Sequence, residues 1–132
     1  MADRWTTRFR ARKVSWTLPS PLDRRRAVAM SDRTGMAQLY AWEVGSSELR
    51  QLTHRPAGTV FGNISGDGRH VLYLDDRTGD ELGHWVRVPF EGGATEDLTP
   101  DMPDYASFDL RPRRGGSEIL FTAASARDTR RG

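Results

Sequence analysis

A segment of this chain returns after about 44 residues, and that recurrence narrows the possible folds more than any other feature. Asp32-Arg33-Thr34-Gly35 comes back as Asp76-Arg77-Thr78-Gly79, each copy following an apolar run. Gln51-Leu52-Thr53 comes back as Asp97-Leu98-Thr99, and Ile64 comes back as Leu110. A period in the forties, built from short strand-like runs, is that of a β-propeller blade. Such a blade is a four-stranded unit that cannot bury its two faces alone. The 132 residues hold about two and a half such units.

The runs between these landmarks read as strands. Residues 13–16 form a weak first candidate, followed by 27–30, 39–42 and 49–53, with Gly35 and Gly45 supplying the positive φ of the turns between them. The second unit repeats the order: 59–64, then His70-Val71-Leu72-Tyr73-Leu74, then 85–88 and 95–99. A third unit opens with 107–110, turns through Arg113-Arg114-Gly115-Gly116 and continues into 118–121. No stretch of helical length keeps i, i+3, i+4 apolar spacing without a Gly or Pro break, so the chain reads as all-β. The expected layout is a basic lead-in over 1–24, propeller blades over 25–123 with the third incomplete, and a basic polar tail over 124–132.

Charge is distributed in blocks. Residues 1–26 carry +6, residues 27–110 carry −8 and residues 111–132 carry +4, so the net +2 conceals an acidic centre between basic ends. There is no cysteine, which excludes disulfides, thiolate metal ligands and a cysteine nucleophile and fits a reducing compartment. Nothing in the chain approaches the roughly 20 apolar residues of a membrane span, nor the apolar core of a secretory signal. The expectation is a cytoplasmic chain with no membrane partner.

The ordered series Leu39-Tyr40-Ala41-Trp42-Glu43, then Arg50-Gln51-Leu52-Thr53-His54-Arg55-Pro56-Ala57-Gly58-Thr59, then Gly66-Asp67-Gly68 resembles the N-terminal propeller of prolyl oligopeptidase-like serine peptidases. Asp75-Asp76 with Gly79-Asp80-Glu81, and Pro89-Phe90 before Gly92-Gly93, is similar to the next blade of that family, and Arg8-Phe9-Arg10-Ala11 with Val14-Ser15 to its lead-in. The resemblance implies a substrate-gating propeller whose partners are further blades and a C-terminal α/β-hydrolase domain, acting on peptides. It also implies that the catalytic Ser, Asp and His lie in the hydrolase part. No Gly-x-Ser-x-Gly elbow occurs in this chain, so no catalytic residue is assigned. The alternative, from another class, is a stand-alone TolB- or WD-like propeller fragment that acts as a protein-interaction module. In either case open strand edges predict self-association.

Candidate sites are few. Asp75, Asp76, Asp80 and Glu81 form the densest acidic cluster, but Arg77 and Thr78 interrupt the alternating-oxygen spacing of a calcium loop. They read as a solvated hairpin, with no metal and no cofactor implied. Within it, Asp80 and Glu81 are the substrate-binding candidates, and Glu81 is placed to hold a peptide ammonium. His54, His70 and His84 are scattered and read as surface or edge residues. Trp5, Phe9 and Trp16 interleave with Arg4, Arg8, Arg10, Arg12 and Lys13, an arrangement that suits single strands of nucleic acid. It reads more simply as a lead-in whose rings dock on a neighbouring blade, and no nucleic-acid partner is expected. Tyr40, Trp42, Tyr73 and Trp85 are expected between blades.

Overall fold

The computed structural model describes residues 14–76, 78–113 and 119–125. Two four-stranded antiparallel sheets follow one another along the chain, each a meander with its strands in sequence order. The first comprises β1 (Val14–Pro19), β2 (Arg26–Ser31), β3 (Gln38–Glu43) and β4 (Leu49–Gln51). The second comprises β5 (Asn63–Ile64), β6 (His70–Asp75), β7 (His84–Pro89) and β8 (Glu96–Asp97). Beyond them β9 (Tyr105–Ala106) pairs with β12 (Ala124–Ser125), and β10 (Leu110–Pro112) pairs with β11 (Ile119–Phe121). No helix occurs among the described residues.

The uninterrupted apolar run of β6 has a structural reason. Successive side chains of a strand point to opposite faces. Val71 and Tyr73 enter a core shared with the first sheet, where they meet Val28, Leu39, Ala41, Val86 and Val88. Leu72 and Leu74 point the other way, into a second core with Trp85, Tyr105, Leu110 and Phe121. A sheet sandwiched between neighbours must be apolar on both faces, which is why this strand shows no polar alternation. Leu72, Val71 and Trp85 are fully buried, and each large apolar side chain so enclosed stabilises the fold by about 1.5–3 kcal/mol.

Polar contacts lock the two complete blades at their margins. The Ser20 hydroxyl lies 2.7 Å from the Gly66 carbonyl and 3.1 Å from that of Ser65, while the Leu22 amide donates to the Gly66 carbonyl at 3.1 Å. Arg26 stacks its guanidinium 4.6 Å from the centre of the Phe90 ring and reaches Glu91 at 2.9 Å; Arg50 donates to the Phe90 carbonyl at 2.8 Å. The indole of Trp16, packed against the first core, donates to the Val60 carbonyl at 3.2 Å. The expected docking of lead-in rings is thus seen at Trp16, while Trp5 and Phe9 lie outside the described residues.

The recurring Leu-Thr pair closes each blade. In the first, the Leu52 amide donates to the Leu39 carbonyl, and the Thr53 hydroxyl accepts from the Leu39 amide at 2.9 Å while donating to Gln38 at 2.7 Å. In the second, the Leu98 amide donates to the Trp85 carbonyl, but the Trp85 amide donates to the Tyr105 hydroxyl at 2.8 Å. Thr99 then bonds that same phenol at 2.9 Å. The repeat conserves the geometry and replaces one acceptor.

Several expectations change. Residues 59–62 are not strand: Gly58 at φ 79 turns the chain, Val60 and Phe61 face outward, and only Asn63–Ile64 pair with β6. Of residues 107–110 only Leu110 lies in a strand, and the pairing of β9 with β12 is an addition to the expected layout. Tyr73 and Trp85 do pack between blades, whereas Trp42 is half-buried and its indole donates to the Ser46 carbonyl of its own turn at 2.8 Å. Tyr40 is buried on the face of β3 opposite Leu39. The turn at residues 114–116 and the tail beyond Ser125 lie outside the described residues.

The turn that leads into β6 makes stability depend on pH. Burial opposes ionisation of Asp67, but its bonds from the Ser65 hydroxyl at 2.7 Å and the Arg69 amide at 3.0 Å prevail and hold its carboxyl below the ordinary value. Burial, then the nearby charge of Arg87, also lower His70; Asp67 and Glu96 pull it upward and Arg69 adds to the lowering. For both groups the unfolded chain binds protons more readily than the folded one, so stability is full above the unfolded pKa and is lost as pH falls. The expected result is a denaturation midpoint that drops between neutral pH and pH ~5 through His70. A further drop below pH ~4 is expected through Asp67. His70→Gln is expected to flatten the first part of the profile in urea titrations at stepped pH.

Candidate functional site

In an antiparallel meander the links between blades and the second hairpin turn of each blade emerge at the same end. That geometry collects residues 54–62, which join β4 to β5, the β6–β7 turn, and residues 107–109, which precede β10. Together they enclose a groove of about 460 Å³ with Val60, Phe61, Leu74 and Phe108 as its apolar surface and Asp76 and Glu81 on its rim. Phe108 is 70% exposed, Val60 66% and Phe61 48%. Phe61 is also an edge-on neighbour of Trp85, with ring centroids 6.3 Å apart, so the groove wall is continuous with the second core.

Arg55 organises the acidic side of this groove. Held in the β4–β5 link by the Gln38 side-chain amide, which donates to the Arg55 carbonyl at 2.7 Å, it reaches across the blade boundary. Its guanidinium pairs with the Asp75 carboxylate and donates to the Asp76 backbone carbonyl, with the Asp76 carboxylate 3.9 Å away. The side chains of Arg55, Asp75 and Asp76 are only 17%, 27% and 20% exposed. The expected solvated hairpin is therefore half correct: Asp80 and Glu81 are exposed, but Asp75 and Asp76 are drawn into an interblade ion pair. Burial also pushes the Tyr73 phenol up, against the opposing pull of Arg55.

The two residues singled out from the sequence occupy different roles. The Asp80 carboxylate accepts from the Leu82 amide at 3.1 Å and shapes the turn. Glu81 borders the groove, and it alone among the described non-glycine residues has a positive φ, of 64°. Its amide donates to the Asp76 carboxylate at 3.0 Å, which holds the residue in that conformation. A backbone outlier of this kind costs about 1–3 kcal/mol and persists only where its surroundings impose it. Val60, Phe61 and Phe108 escape notice because the sequence places them inside the expected strands 59–64 and 107–110, where apolar residues signal packing rather than a site.

A second cluster lies beside the groove. His84 Nδ1 is 2.7 Å from Asp97 and Nε2 is 3.4 Å from Asp104, and the ring stacks on Tyr105 with centroids 5.5 Å apart. No histidine ring among the described residues is hydrogen-bonded to a serine, and no three His, Cys, Asp or Glu side chains there converge on a metal position. Nor is any described helix long and apolar enough to cross a membrane.

No family model and no curated protein sequence matches the chain. Among solved structures, the crystal structure of TolB from Acinetobacter baumannii is similar, with a TM-score of 0.50 and 23% sequence identity. The match covers 69% of this chain and 22% of the TolB chain, so this chain spans well under half of that protein's length. With the two meanders and the strand pairs β9–β12 and β10–β11 of a third unit, the likeness establishes the fold: the chain is a partial β-propeller.

Proposed function

We propose that this chain is a propeller segment that works by binding a protein partner at its loop end. The groove formed by the blade links carries this reading. It gathers exposed apolar side chains from two separate segments, Val60 and Phe61 from one and Phe108 from the other, around the partly buried Leu74, and an exposed apolar patch rimmed by polar groups marks interaction surfaces. The absence of a serine–histidine pair among the described residues gives no support to hydrolysis by these residues themselves. The test is selection of saturable ligands from a displayed protein-fragment library by the immobilised 132-residue chain, beside treatment with a fluorophosphonate that labels active serines. Saturable binding without labelling is the expected result. Labelling with turnover, or no saturable ligand, would overturn the reading.

A second reading is the substrate gate of a prolyl oligopeptidase-like serine peptidase. It is supported by the resemblance in sequence and by the position of Glu81 on the groove rim, where a carboxylate suits a peptide ammonium. Unchanged substrate affinity on Glu81→Gln in an enzyme containing the hydrolase domain would sink it.

Leu120 on β11 is 75% exposed, and among the described residues β11 pairs with β10 alone. Uncovered strands of this kind recruit further strands, so the isolated chain is expected to self-associate. Sedimentation velocity should show a weight-average mass rising with concentration, and Leu120→Lys should reduce that rise.

A further inference from the structure

We infer that the groove accepts an extended peptide segment carrying a bulky apolar side chain beside an arginine or lysine. This rests on the interaction reading above and specifies the partner's chemistry. Three observations converge on it.

The first is the mixed lining. Phe61, Phe108 and Val60 offer an apolar surface larger than one methyl group needs, joined by Leu74, which also packs against the second core. The second is charge. Arg55 already pairs with Asp75 and Asp76, but the exposed Glu81 carboxylate makes no ion pair within 4 Å among the described residues, so it stands at the groove as a negative charge open to a ligand's cation. A guanidinium or ammonium next to the apolar side chain would meet that carboxylate, and the faces of Phe61 and Phe108 suit the same cation. The surrounding block, residues 27–110, carries −8, which attracts basic segments from a distance. The third is the Glu81 backbone. A left-handed conformation fixed by Asp76 aims the residue at the groove at an energetic cost, and strain maintained beside a cavity is characteristic of binding sites.

The exposure of the lining favours an internal segment over a free amino terminus. Lining residues that remain 48–70% exposed make a trough, which an extended chain can cross. A receptor for a terminus needs side chains that close around it.

Fluorescence anisotropy with the full chain tests the assignment. The probe is a short fluorescein-labelled peptide, acetylated and amidated, with a central Arg-Leu-Arg. Matched peptides carry Glu-Leu-Glu or Arg-Ser-Arg. The first should bind saturably and weaken with added salt, and the other two should bind at least about tenfold more weakly. Glu81→Arg and Phe108→Ser should each weaken the first peptide about fivefold or more, without moving the melting temperature, since both side chains are exposed. Equal binding of the Glu-Leu-Glu peptide, or affinity unchanged in both variants, overturns the inference. So does stronger binding of a peptide whose free amino terminus replaces the first arginine. If selected protein ligands bind but ignore both substitutions, the groove assignment fails and the interaction reading stands. If no ligand of any kind saturates, the broader reading fails with it.

Discussion

Replacing Arg55 by methionine is expected to lower the free energy of unfolding by about 2–3 kcal/mol, measured by urea denaturation. Methionine keeps most of the stem volume, so the loss reports on the guanidinium. Removing it strands Asp75 and Asp76 at 27% and 20% side-chain exposure with their cation gone. An uncompensated carboxylate in that setting costs more than the intact pair contributes. The value falls short of the 3–5 kcal/mol of a fully buried pair because water reaches part of all three side chains. Adding Asp75→Asn to the methionine variant should restore about 1 kcal/mol or more, because an amide is cheaper to leave unpaired than a carboxylate. Strict additivity of the two substitutions would show that the ion pair does not couple the blades. The effect should also reach the groove. Asp76 anchors the Glu81 amide at 3.0 Å, so loss of Arg55 is expected to weaken peptide binding even though Arg55 is absent from the groove lining.

The parts of the fold that could be read from the sequence are those with a local period. The runs ending at Met30 and Leu74 and the glycine turns at 35, 45, 68 and 79 mark the hairpins, because strand and turn chemistry are both short-range. The Leu-Thr repeat marks the blade seam, although only the coordinates show a hydroxyl closing it. Strands β9 and β12 left no trace, since two residues cannot establish an alternation. Residues 59–62 misled in the opposite direction. Val60 and Phe61 are strong strand formers, yet Gly62 sits where a Cβ would lie 2.5 Å from Leu39 Cδ1, so the chain there crosses the first blade closely as a link. At the site, Glu81 could be singled out because acids cluster around it. Arg55 could not: nineteen of the twenty cations are arginine, and nothing local separates the one that bridges two blades from those that face water. Pairings across a blade boundary depend on a 21-residue separation that no motif records.

Tyr105→Ala is expected to cost about 4–5 kcal/mol and Tyr105→Phe about 2 kcal/mol, the difference separating the ring from its hydroxyl. Tyr105 is fully buried, and its phenol accepts from the Trp85 amide at 2.8 Å and bonds Thr99 at 2.9 Å. Phenylalanine keeps the ring but leaves a backbone amide in the core without a partner, and a buried donor so stranded costs its full desolvation. Alanine also removes a ring stacked between His84 at 5.5 Å and Phe121 at 5.6 Å and opens a cavity beside Trp85. These are the contacts that attach the third unit to the second blade, reinforced by the Trp85 indole bond to the Ser107 hydroxyl at 2.8 Å and by that hydroxyl's bond to the Thr122 carbonyl. A domain of this size holds about 5–15 kcal/mol in total, so the alanine variant should lose a large share of it. Hydrogen exchange can locate the damage. Loss of protection in β9 to β12, with the β2–β3 amides still protected, is the expected pattern in both variants. Uniform loss across both sheets would mean that the two cores unfold as one unit, and the third unit would then be integral to the first two blades.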